Sequence, residues 1–250
     1  MKHHWEIEPS DIENVKAFID KHRDDLIVKR RYKRNLRDDK PRVEKETFWK
    51  QMVACLLTTQ QRSGPTSAVT RFIIKKPFSL ALETCLGQPN VEAFVMGILT
   101  AFRGLRRSTT LANEIARNLQ LLEKKLWQPS LDALESVRVG QDIATEREVA
   151  SFIAKEFAGF GPKQSRNLMQ SLGLSRYETP IDSRVTKWLN RIGFPLQVSG
   201  AALSDLNYYT FVMDGFQAVC QACGVFPCVL DASIFSESDG AGWTEENMIW

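Results

Sequence analysis

The sequence predicts an all-α protein, and three observations support that fold class. Apolar residues recur at a spacing of three to four through most of the chain, as they do on the buried face of a helix. No run of alternating apolar and polar residues is long enough for a sheet. Glycine, proline and capping residues interrupt the pattern at helix-length intervals. We therefore expect about nine to eleven helices, packed as one or two bundles.

Each helix follows from its apolar stripe and its stop signals. The first stripe starts at Phe48, and the segment after it resumes beyond Ser63-Gly64-Pro65 and stops at Pro77. Leu111, Ile115, Leu119 and Leu122 form one of the later stripes. In chain order these patterns predict helices over 47–59, 66–74, 91–102, 108–126 and 132–137.

The second half of the chain carries clearer boundary signals. Thr145 followed by Glu148 reads as a capping box that opens a helix through Phe157. Pro162 suits a first helical turn, and Gly173 suits a helix end. Gly193 and Pro195 end the next segment. The predicted helices here are 145–157, 162–172, 182–192 and one or two within 199–223.

Composition places the chain among ordinary globular proteins. Its 250 residues are 43% apolar and 25% charged, which excludes a mostly disordered chain and a fibrous repeat. No apolar run approaches the ~20 residues that span a bilayer. The first residues, MKHHWEIEPS, hold no apolar signal core, so we expect an intracellular protein without a membrane partner.

The net charge of +3 hides an uneven distribution. Residues 29–37 read KRRYKRNLR, whereas residues 236–250 carry four acids and no base, and we expect this acidic tail to be mobile. Each basic run alone is compatible with a solvated surface. If the clusters share one face, a local positive field can attract phosphate despite the small total. The clusters are 29–37, Arg62, 103–107, Lys163 and Arg166.

Five cysteines without a signal segment indicate a reducing compartment. Cys220, Cys223 and Cys228 form a CxxC unit with a third thiol, which leaves a tetrahedral metal site one ligand short. Apolar packing of the thiols is the simpler reading, and metal binding is the alternative.

Residues 158–163, AGFGPK, predict a hairpin between two helices. Gly159 and Gly161 allow a tight turn, and Pro162 starts the next helix, so free backbone amides point outward. Such turns and helix N-termini bind phosphate without reading bases.

Two ionisable residues follow. Lys163 lies in the first helical turn, where the helix dipole and partial burial both favour the free, nucleophilic amine. Asp182 starts a helix nineteen residues later. From residue types alone, Lys163 could simply pair with phosphate and Asp182 could simply be an N-cap.

The whole constellation resembles the helix-hairpin-helix DNA glycosylase superfamily, over roughly residues 47–228. The family pattern Leu-Pro-Gly-Val-Gly-x-Lys is matched in order by 157–163, and its Val-Asp-Thr-His-Val element by 180–185. The stretch LLTTQQRSG at 56–64 is similar to the family segment that enters the minor groove, and 102–115 to a short element before a helix.

The resemblance implies site residues and a mechanism. Lys163 and Asp182 are the implied catalytic pair, and a Lys at this position is typical of the branch that removes a base and also cuts the strand. The resemblance implies that Gln60 is the wedge, the side chain that occupies the space beside the emptied base position. The implied DNA-binding residues are Gly159, Gly161, Pro162, Gln60, Gln61, Arg62, Arg103 and Arg166.

The branch of the family is indicated by the presence of Lys163 and by the absence of a four-cysteine pattern. The spacing of Cys220, Cys223 and Cys228 does not fit the four-cysteine pattern of the iron–sulfur branches, so no iron–sulfur cluster is expected. A Lys without a cluster is most similar to the 8-oxoguanine DNA glycosylases. GFQAV at 215–219 places Gln217, with Phe216, as the candidate base pocket, although Gln221 stands where the family has a stacking Phe.

The resemblance therefore implies a monomeric base-excision-repair DNA glycosylase with AP lyase activity on damaged double-stranded DNA. The expected substrate is an oxidised base, in the first place 8-oxoguanine, which is removed through a Lys163 Schiff base and β-elimination. It needs no cofactor or catalytic metal, and a structural monovalent cation at the hairpin is implied. A glycosylase for an oxidised pyrimidine or a phage-type modified base, and a non-catalytic DNA-binding module, stay open. The expected division is a basic extension over 1–46 packed with the C-terminal subdomain, a barrel subdomain over 47–145, the hairpin over 146–175, a second subdomain over 176–235 and the tail over 236–250.

Overall fold

The computed structural model describes residues 5–249, and within that range it contains thirteen α-helices and no β-strand. The all-α prediction is confirmed. The helices are α1 (Pro9–His22), α2 (Leu26–Asn35), α3 (Lys45–Leu57), α4 (Ala68–Ile74), α5 (Leu82–Leu86), α6 (Val91–Ala101), α7 (Ser108–Leu121), α8 (Trp127–Gly140), α9 (Ile143–Glu156), α10 (Pro162–Ser171), α11 (Ser183–Arg191), α12 (Leu206–Cys223) and α13 (Pro227–Asp239).

The helix count exceeds the predicted nine to eleven because α1, α2, α5 and α13 lie outside the segments predicted to be helical. In α2 the run of basic residues masks a short apolar stripe, of which Ile27 and Val28 are buried. In α1, Pro9 occupies the first turn and a capping box joins Glu8 to Asp11. Neither helix has the long apolar stripe that identifies α3.

Two boundaries differ from the prediction for local reasons. The Asp142 side chain accepts a hydrogen bond from the Thr145 backbone N–H, so α9 starts two residues before the predicted capping box. A π-helical turn over Leu122–Leu126 joins α7 to α8, which makes the segment predicted at 132–137 part of a much longer helix.

The helices form two groups with a cleft between them. The first contains α3 to α10, in which α6 packs on α7 and α10 packs on both α9 and α3. The second is built around α13, which contacts α1, α2, α11 and α12. The first 46 residues therefore supply two helices to the C-terminal group, and the expected tail boundary at 235/236 falls inside α13.

The tail packs on the protein, which corrects the expectation that it is mobile. Trp243, Met248 and Ile249 are buried. Burial of these three large apolar side chains favours packing of the tail, and its acidic composition gave no indication of this. Arg30 binds Glu245 of the tail at 3.1 Å. Basic and acidic ends of the chain thus neutralise each other in part.

Within the described residues, no single helix is long and apolar enough to span a membrane. The pair α12 and α13, bent by 98°, passes that test only when the two are taken together, by length and composition.

Candidate active site

A cavity of about 810 Å³ opens between the two helix groups. That volume lies in the range of ligand-binding pockets. The catalytic pair predicted from the sequence lies on its wall, with Lys163 from α10 and Asp182 from the start of α11. Other predicted residues lining it are Gln60, Gln61, Arg62, Gly159, Gly161 and Pro162.

The hairpin between α9 and α10 has the geometry its sequence predicts. Gly159 adopts a left-handed φ of 79°, and Gly161 caps α10 ahead of Pro162. Within residues 5–249, the backbone N–H groups of Gly159, Gly161 and Lys163 donate to no acceptor. These amides are therefore available to an anion beside the cavity.

A buried asparagine that the sequence did not single out holds the hairpin. The side chain of Asn118, on α7, donates to the carbonyl of Ala158 at 2.9 Å and accepts from its N–H at 2.8 Å. Asn118 has no exposed surface, so both bonds are protected from water. The turn is thereby fixed to the first helix group.

The two hairpin glycines are required for different reasons, which gives a matched test. A Cβ at Gly159 would lie 2.6 Å from Leu56 Cδ2 at a left-handed φ, so Gly159→Ala should lower the free energy of unfolding by about 1–3 kcal/mol. A Cβ at Gly161 meets no atom within 4 Å, and its φ of −101° suits any residue. Gly161→Ala should keep the wild-type melting curve and weaken DNA binding in an anisotropy titration. Equal DNA affinity in Gly161→Ala and wild type would contradict close approach of a phosphate.

Lys163 is half-buried at the cavity wall. Desolvation lowers the pKa of its ammonium, the charge of Arg184 acts in the same direction, and Asp182 opposes both. No carboxylate oxygen among the described residues lies within 4.0 Å of Lys163 Nζ, so Lys163 forms no ion pair with them. A lysine in this setting has an increased fraction of free amine.

Asp182 is the N-cap of α11 and is held on both oxygens. Oδ1 accepts from the backbone N–H groups of Arg184 at 2.8 Å and Val185 at 3.2 Å, while Arg184 binds Oδ2 through Nε at 2.8 Å and through its terminal nitrogen at 2.6 Å. Burial alone would raise the pKa of Asp182, but the charge and hydrogen bond of Arg184, together with Lys163, outweigh it and lower the pKa. The carboxylate is therefore ionised at neutral pH.

Arg184 lines the cavity and is a candidate site residue that the sequence did not single out. It binds Asp239 of α13 as well as Asp182, and its guanidinium lies 4.3 Å from the centre of the Phe235 ring. The sequence does carry a signal for this residue, because Arg184 stands where the family pattern has His.

The segment after α3 presents Gln60 at its tip. Gln60 is exposed and has a left-handed φ of 56°, which is an uncommon conformation for a non-glycine residue. Gln61 differs from the expectation of a DNA contact, because its side chain donates to the Leu57 carbonyl at 2.9 Å and accepts from the Arg106 N–H at 2.7 Å. Gln61 thus fixes the loop, while Gln60 and Arg62 are exposed on it.

Two predicted DNA contacts lie elsewhere. Arg103 is exposed but does not line the cavity. Arg166 is fully buried, where it binds Glu178 at 2.6 Å and stacks 4.5 Å from the centre of the Tyr209 ring. Arg166 lies one turn after Lys163 on α10, but it is fully buried, whereas Lys163 is only partly buried. With Arg166 and Arg31 both buried, the expected single face of exposed basic clusters is not what the structure contains.

The structural role of Arg166 can be tested by comparing its Met variant with the same variant of Arg62, which is exposed on the cavity wall. Arg166→Met should lower the free energy of unfolding by about 3 kcal/mol, since it removes one partner of a buried charge. Arg147 stays paired with Glu178 at 2.9 Å and limits the loss. Arg62→Met should leave unfolding unchanged and reduce the salt slope of DNA binding by roughly 1. A normal melting curve for Arg166→Met would contradict its structural role.

The structure places the two predicted base-pocket residues, Phe216 and Gln217, away from the cavity. Phe216 is fully buried, with its ring centroid 6.2 Å from that of Trp188. Gln217 donates to Glu178 at 3.0 Å and accepts from Arg147 at 3.3 Å. Neither residue lines the cavity, because Phe216 packs in the core and the Gln217 side chain is bound by Arg147 of α9 and by Glu178. The inner end of the cavity is lined instead by Ile27, Arg31, Gln170, Asp231 and Phe235.

The five cysteines are free and buried. Burial raises the pKa of the Cys228 thiol to about 12, and raises that of Cys220 as well. Among residues 5–249, no group of three or more His, Cys, Asp or Glu side chains is arranged to hold a metal ion.

Comparison with known proteins finds no matching family model and no curated protein with a similar sequence. Solved structures do match. An 8-oxoguanine glycosylase/lyase of Methanocaldococcus jannaschii, in complex with 15-mer DNA containing 8-oxoguanine, has a TM-score of 0.69 at 17% identity, covering 93% of this chain and 100% of its own. The 8-oxoguanine DNA glycosylase of Thermotoga maritima has a TM-score of 0.61 at 15% identity, covering 92% of this chain and 96% of its own.

Both similarities extend over nearly the whole of each chain. The chain has the all-α fold of the helix-hairpin-helix 8-oxoguanine DNA glycosylases.

Proposed function

We propose that the protein is a base-excision DNA glycosylase with AP lyase activity, and that its substrate is 8-oxoguanine in duplex DNA. The observation that carries the proposal is the placement of Lys163 and Asp182 on one cavity beside a hairpin with free amides. A non-catalytic DNA-binding module requires the hairpin but not this pair. The shared fold with 8-oxoguanine DNA glycosylases supports the same conclusion.

DNA binding follows from the charges and amides around the cavity. Five basic side chains line it against two carboxylates: Arg31, Arg62, Arg106, Lys163 and Arg184 against Asp182 and Asp231. The amides of Gly159 and Gly161 bind a backbone phosphate, which positions the duplex without reading its sequence. Gln60 enters the space that the flipped nucleotide leaves in the stack.

The chemistry begins at the Nζ of Lys163. Its lone pair attacks the anomeric carbon of the flipped nucleotide, the glycosidic bond breaks, and the base leaves with the bonding electrons and a proton. Opening of the sugar ring gives a Schiff base between Lys163 and the former anomeric carbon. Loss of a proton from the adjacent sugar carbon then expels the 3′ phosphate and cuts the strand.

Asp182 stabilises the positive charge that develops on the sugar. Its pKa is lowered by Arg184 and Lys163 despite burial, so it is a weak base and a persistent anion. An anion fixed by four hydrogen bonds is pre-organised for the transition state. The principal role that we assign to Asp182 is therefore electrostatic.

The hairpin suits the structural monovalent cation that we propose there. The carbonyl oxygens of Gly159 and Phe160 accept no hydrogen bond within residues 5–249. Free carbonyl oxygens of this kind are ligands for hard cations. Such an ion would hold the turn in shape while the amides bind phosphate. We also propose that the protein acts as a monomer.

A panel of lesion-bearing duplexes tests the substrate. Wild-type protein should cleave a duplex containing 8-oxoguanine faster than duplexes containing oxidised pyrimidines or undamaged guanine, and it should cleave an abasic site. Preferential release of an oxidised pyrimidine would change the substrate but keep the mechanism. Salt-sensitive binding without any strand product would overturn the enzymatic proposal.

A further inference from the structure

The segment that joins the two helix groups is held in place by buried side chains. It leaves α10, which carries Lys163, and reaches Asp182 at the start of α11. We call residues 174–181 the crossover. Its last residues, Pro180 and Ile181, lie on the cavity wall beside Asp182. The path of the crossover therefore sets the position of the Asp182 carboxylate in the cavity.

The first part of the crossover is anchored by Glu146 of α9. This carboxylate has no exposed surface and accepts three consecutive backbone N–H groups, from Arg176 at 2.7 Å and from Tyr177 and Glu178 at 2.8 Å each. The crossover is thereby fixed as far as Glu178, and residues 179–181 need an anchor of their own.

The last part of the crossover is anchored by one phenol. The Oη of Tyr209, on α12, donates to the Thr179 carbonyl at 3.0 Å and accepts from the Ile181 N–H at 2.7 Å. Within residues 5–249, no other group forms a hydrogen bond with the backbone of 179–181. Tyr209 has no exposed surface, and burial raises the pKa of its hydroxyl, so the oxygen keeps the proton that it donates.

The ring of Tyr209 contacts the helix that carries Lys163. Its centre lies 4.5 Å from the guanidinium carbon of Arg166, and Arg166 donates to the Pro162 carbonyl at 2.9 Å in the first turn of α10. Lys163 is the next residue in that turn. One side chain of α12 thus binds the backbone next to Asp182 through its oxygen and contacts α10 through its ring.

Loss of the phenol oxygen would leave two backbone groups next to Asp182 unpaired. The Thr179 carbonyl and the Ile181 N–H are both buried, and a buried backbone group without a partner is unfavourable. The crossover would move to satisfy them, and Asp182 directly follows Ile181. Displacement of a positioned group by about 1 Å can reduce a rate about 10²-fold.

We propose that Tyr209 is a positioning residue for Asp182, and that its hydroxyl fixes the carboxylate opposite the sugar of the bound nucleotide. This inference rests on the proposed function and adds to it a residue that does not touch the substrate. Tyr209 does not line the cavity, so its effect on base release passes through the crossover.

The first test removes only the hydroxyl. Tyr209→Phe keeps the ring on Arg166 and should reduce release of 8-oxoguanine about 10- to 100-fold, while affinity for a duplex with a non-cleavable abasic-site analogue is unchanged. Tyr208→Phe is the matched control on the same helix, because Tyr208 Oη accepts from the Ser199 N–H at 3.1 Å and Tyr208 does not line the cavity. The control should release the base like wild type. Wild-type release by Tyr209→Phe overturns the inference.

A double-mutant cycle separates positioning from a general weakening of the fold. If Tyr209 acts through Asp182, Tyr209→Phe should change release by less than about twofold in the Asp182→Asn background, because the carboxylate that it positions is absent. An equal loss in both backgrounds overturns the inference. Replacement of the Ile181 amide by an ester removes the donor of the same hydrogen bond and keeps Tyr209. If Tyr209→Phe does not fold, the ester takes its place in the cycle with the same expected results.

Hydrogen exchange gives a readout that needs no activity. The Arg184 and Val185 N–H groups are bonded to Asp182 Oδ1, so displacement of the carboxylate exposes them to exchange. Tyr209→Phe should accelerate their exchange at least ~10-fold, and Tyr208→Phe should not. If wild-type protein releases no base, the proposed function fails, and this measurement alone decides whether Tyr209 positions Asp182. Unchanged exchange of both amides overturns the inference.

Discussion

Lys163→Gln should abolish borohydride trapping of the protein on DNA and reduce strand cleavage by at least ~10³-fold, since removal of a nucleophile eliminates the covalent route. Glutamine is polar and only one atom shorter than lysine, but it has no amine with which to form a Schiff base. The effect should be equal on 8-oxoguanine duplexes and on abasic sites, because both reactions pass through the same bond to Nζ. Single-turnover gel assays with and without borohydride measure both quantities.

Lys187→Gln is the control for loss of positive charge. Lys187 is exposed on α11 and does not line the cavity, so its variant should trap and cleave like wild type. Trapping that persists in Lys163→Gln would remove Lys163 from the mechanism. Loss of DNA binding in Lys163→Gln at low salt would instead assign the side chain to phosphate pairing.

Asp182→Asn should reduce base excision by about 10²–10³-fold while DNA affinity is retained, which is the loss typical of one pre-organised electrostatic group. Asparagine is as good an N-cap as aspartate, so α11 should keep its start. What disappears is the negative charge opposite the sugar. Excision is measured under single turnover, and affinity on a duplex with a non-cleavable abasic-site analogue.

The same variant makes a pH prediction with a definite sign. The Asp182 carboxylate raises the pKa of Lys163, so its removal should lower that pKa further. Since the free amine reacts, the rate of abasic-site cleavage rises with pH through the Lys163 pKa. The rising limb of the profile should therefore lie at lower pH in Asp182→Asn than in wild type.

Asp205→Asn is the matched control for Asp182→Asn, because it makes the same exchange at the N-cap of another helix. Asp205 caps α12 by accepting from the Tyr208 N–H at 2.8 Å, and it does not line the cavity. Its variant should keep wild-type excision. Full excision by Asp182→Asn, or a shift of the pH profile upward, would contradict the electrostatic role.

The fold class and the positions of Lys163 and Asp182 at the starts of α10 and α11 could be predicted from the sequence, because they depend on local patterns. Periodic apolar residues indicate the helices, and two glycines and a proline at fixed spacing indicate the hairpin. A helix start likewise places Asp182 at an N-terminus. These features need no knowledge of which helices pack together.

The remaining residues of the site depend on tertiary contacts. Arg31 stands in a run that looks solvated, yet α2 packs on α13 and turns Arg31 toward Asp231. Arg166 follows Lys163 by three residues, and only the packing of Glu178 and Tyr209 shows that it points inward. Gln170 and Asp231 are ordinary polar residues until the fold brings them 2.7 Å apart.

The position of Gln217 away from the cavity has a similar reason. The motif around it is compatible with a pocket, but its side chain is bound by Glu178 and by Arg147 of α9. Sequence resemblance places a residue on a helix. Which face of that helix meets the cavity is decided by the neighbouring helices.

The most direct test of the central claim is to identify the amino acid that carries the covalent bond. Wild-type protein is incubated with an 8-oxoguanine duplex and borohydride, the adduct is digested with protease and nuclease, and the modified peptide is sequenced by mass spectrometry. We expect a single reduced sugar adduct on the Nζ of Lys163. An adduct on any other amine, or efficient release of 8-oxoguanine with no adduct at all, would contradict it.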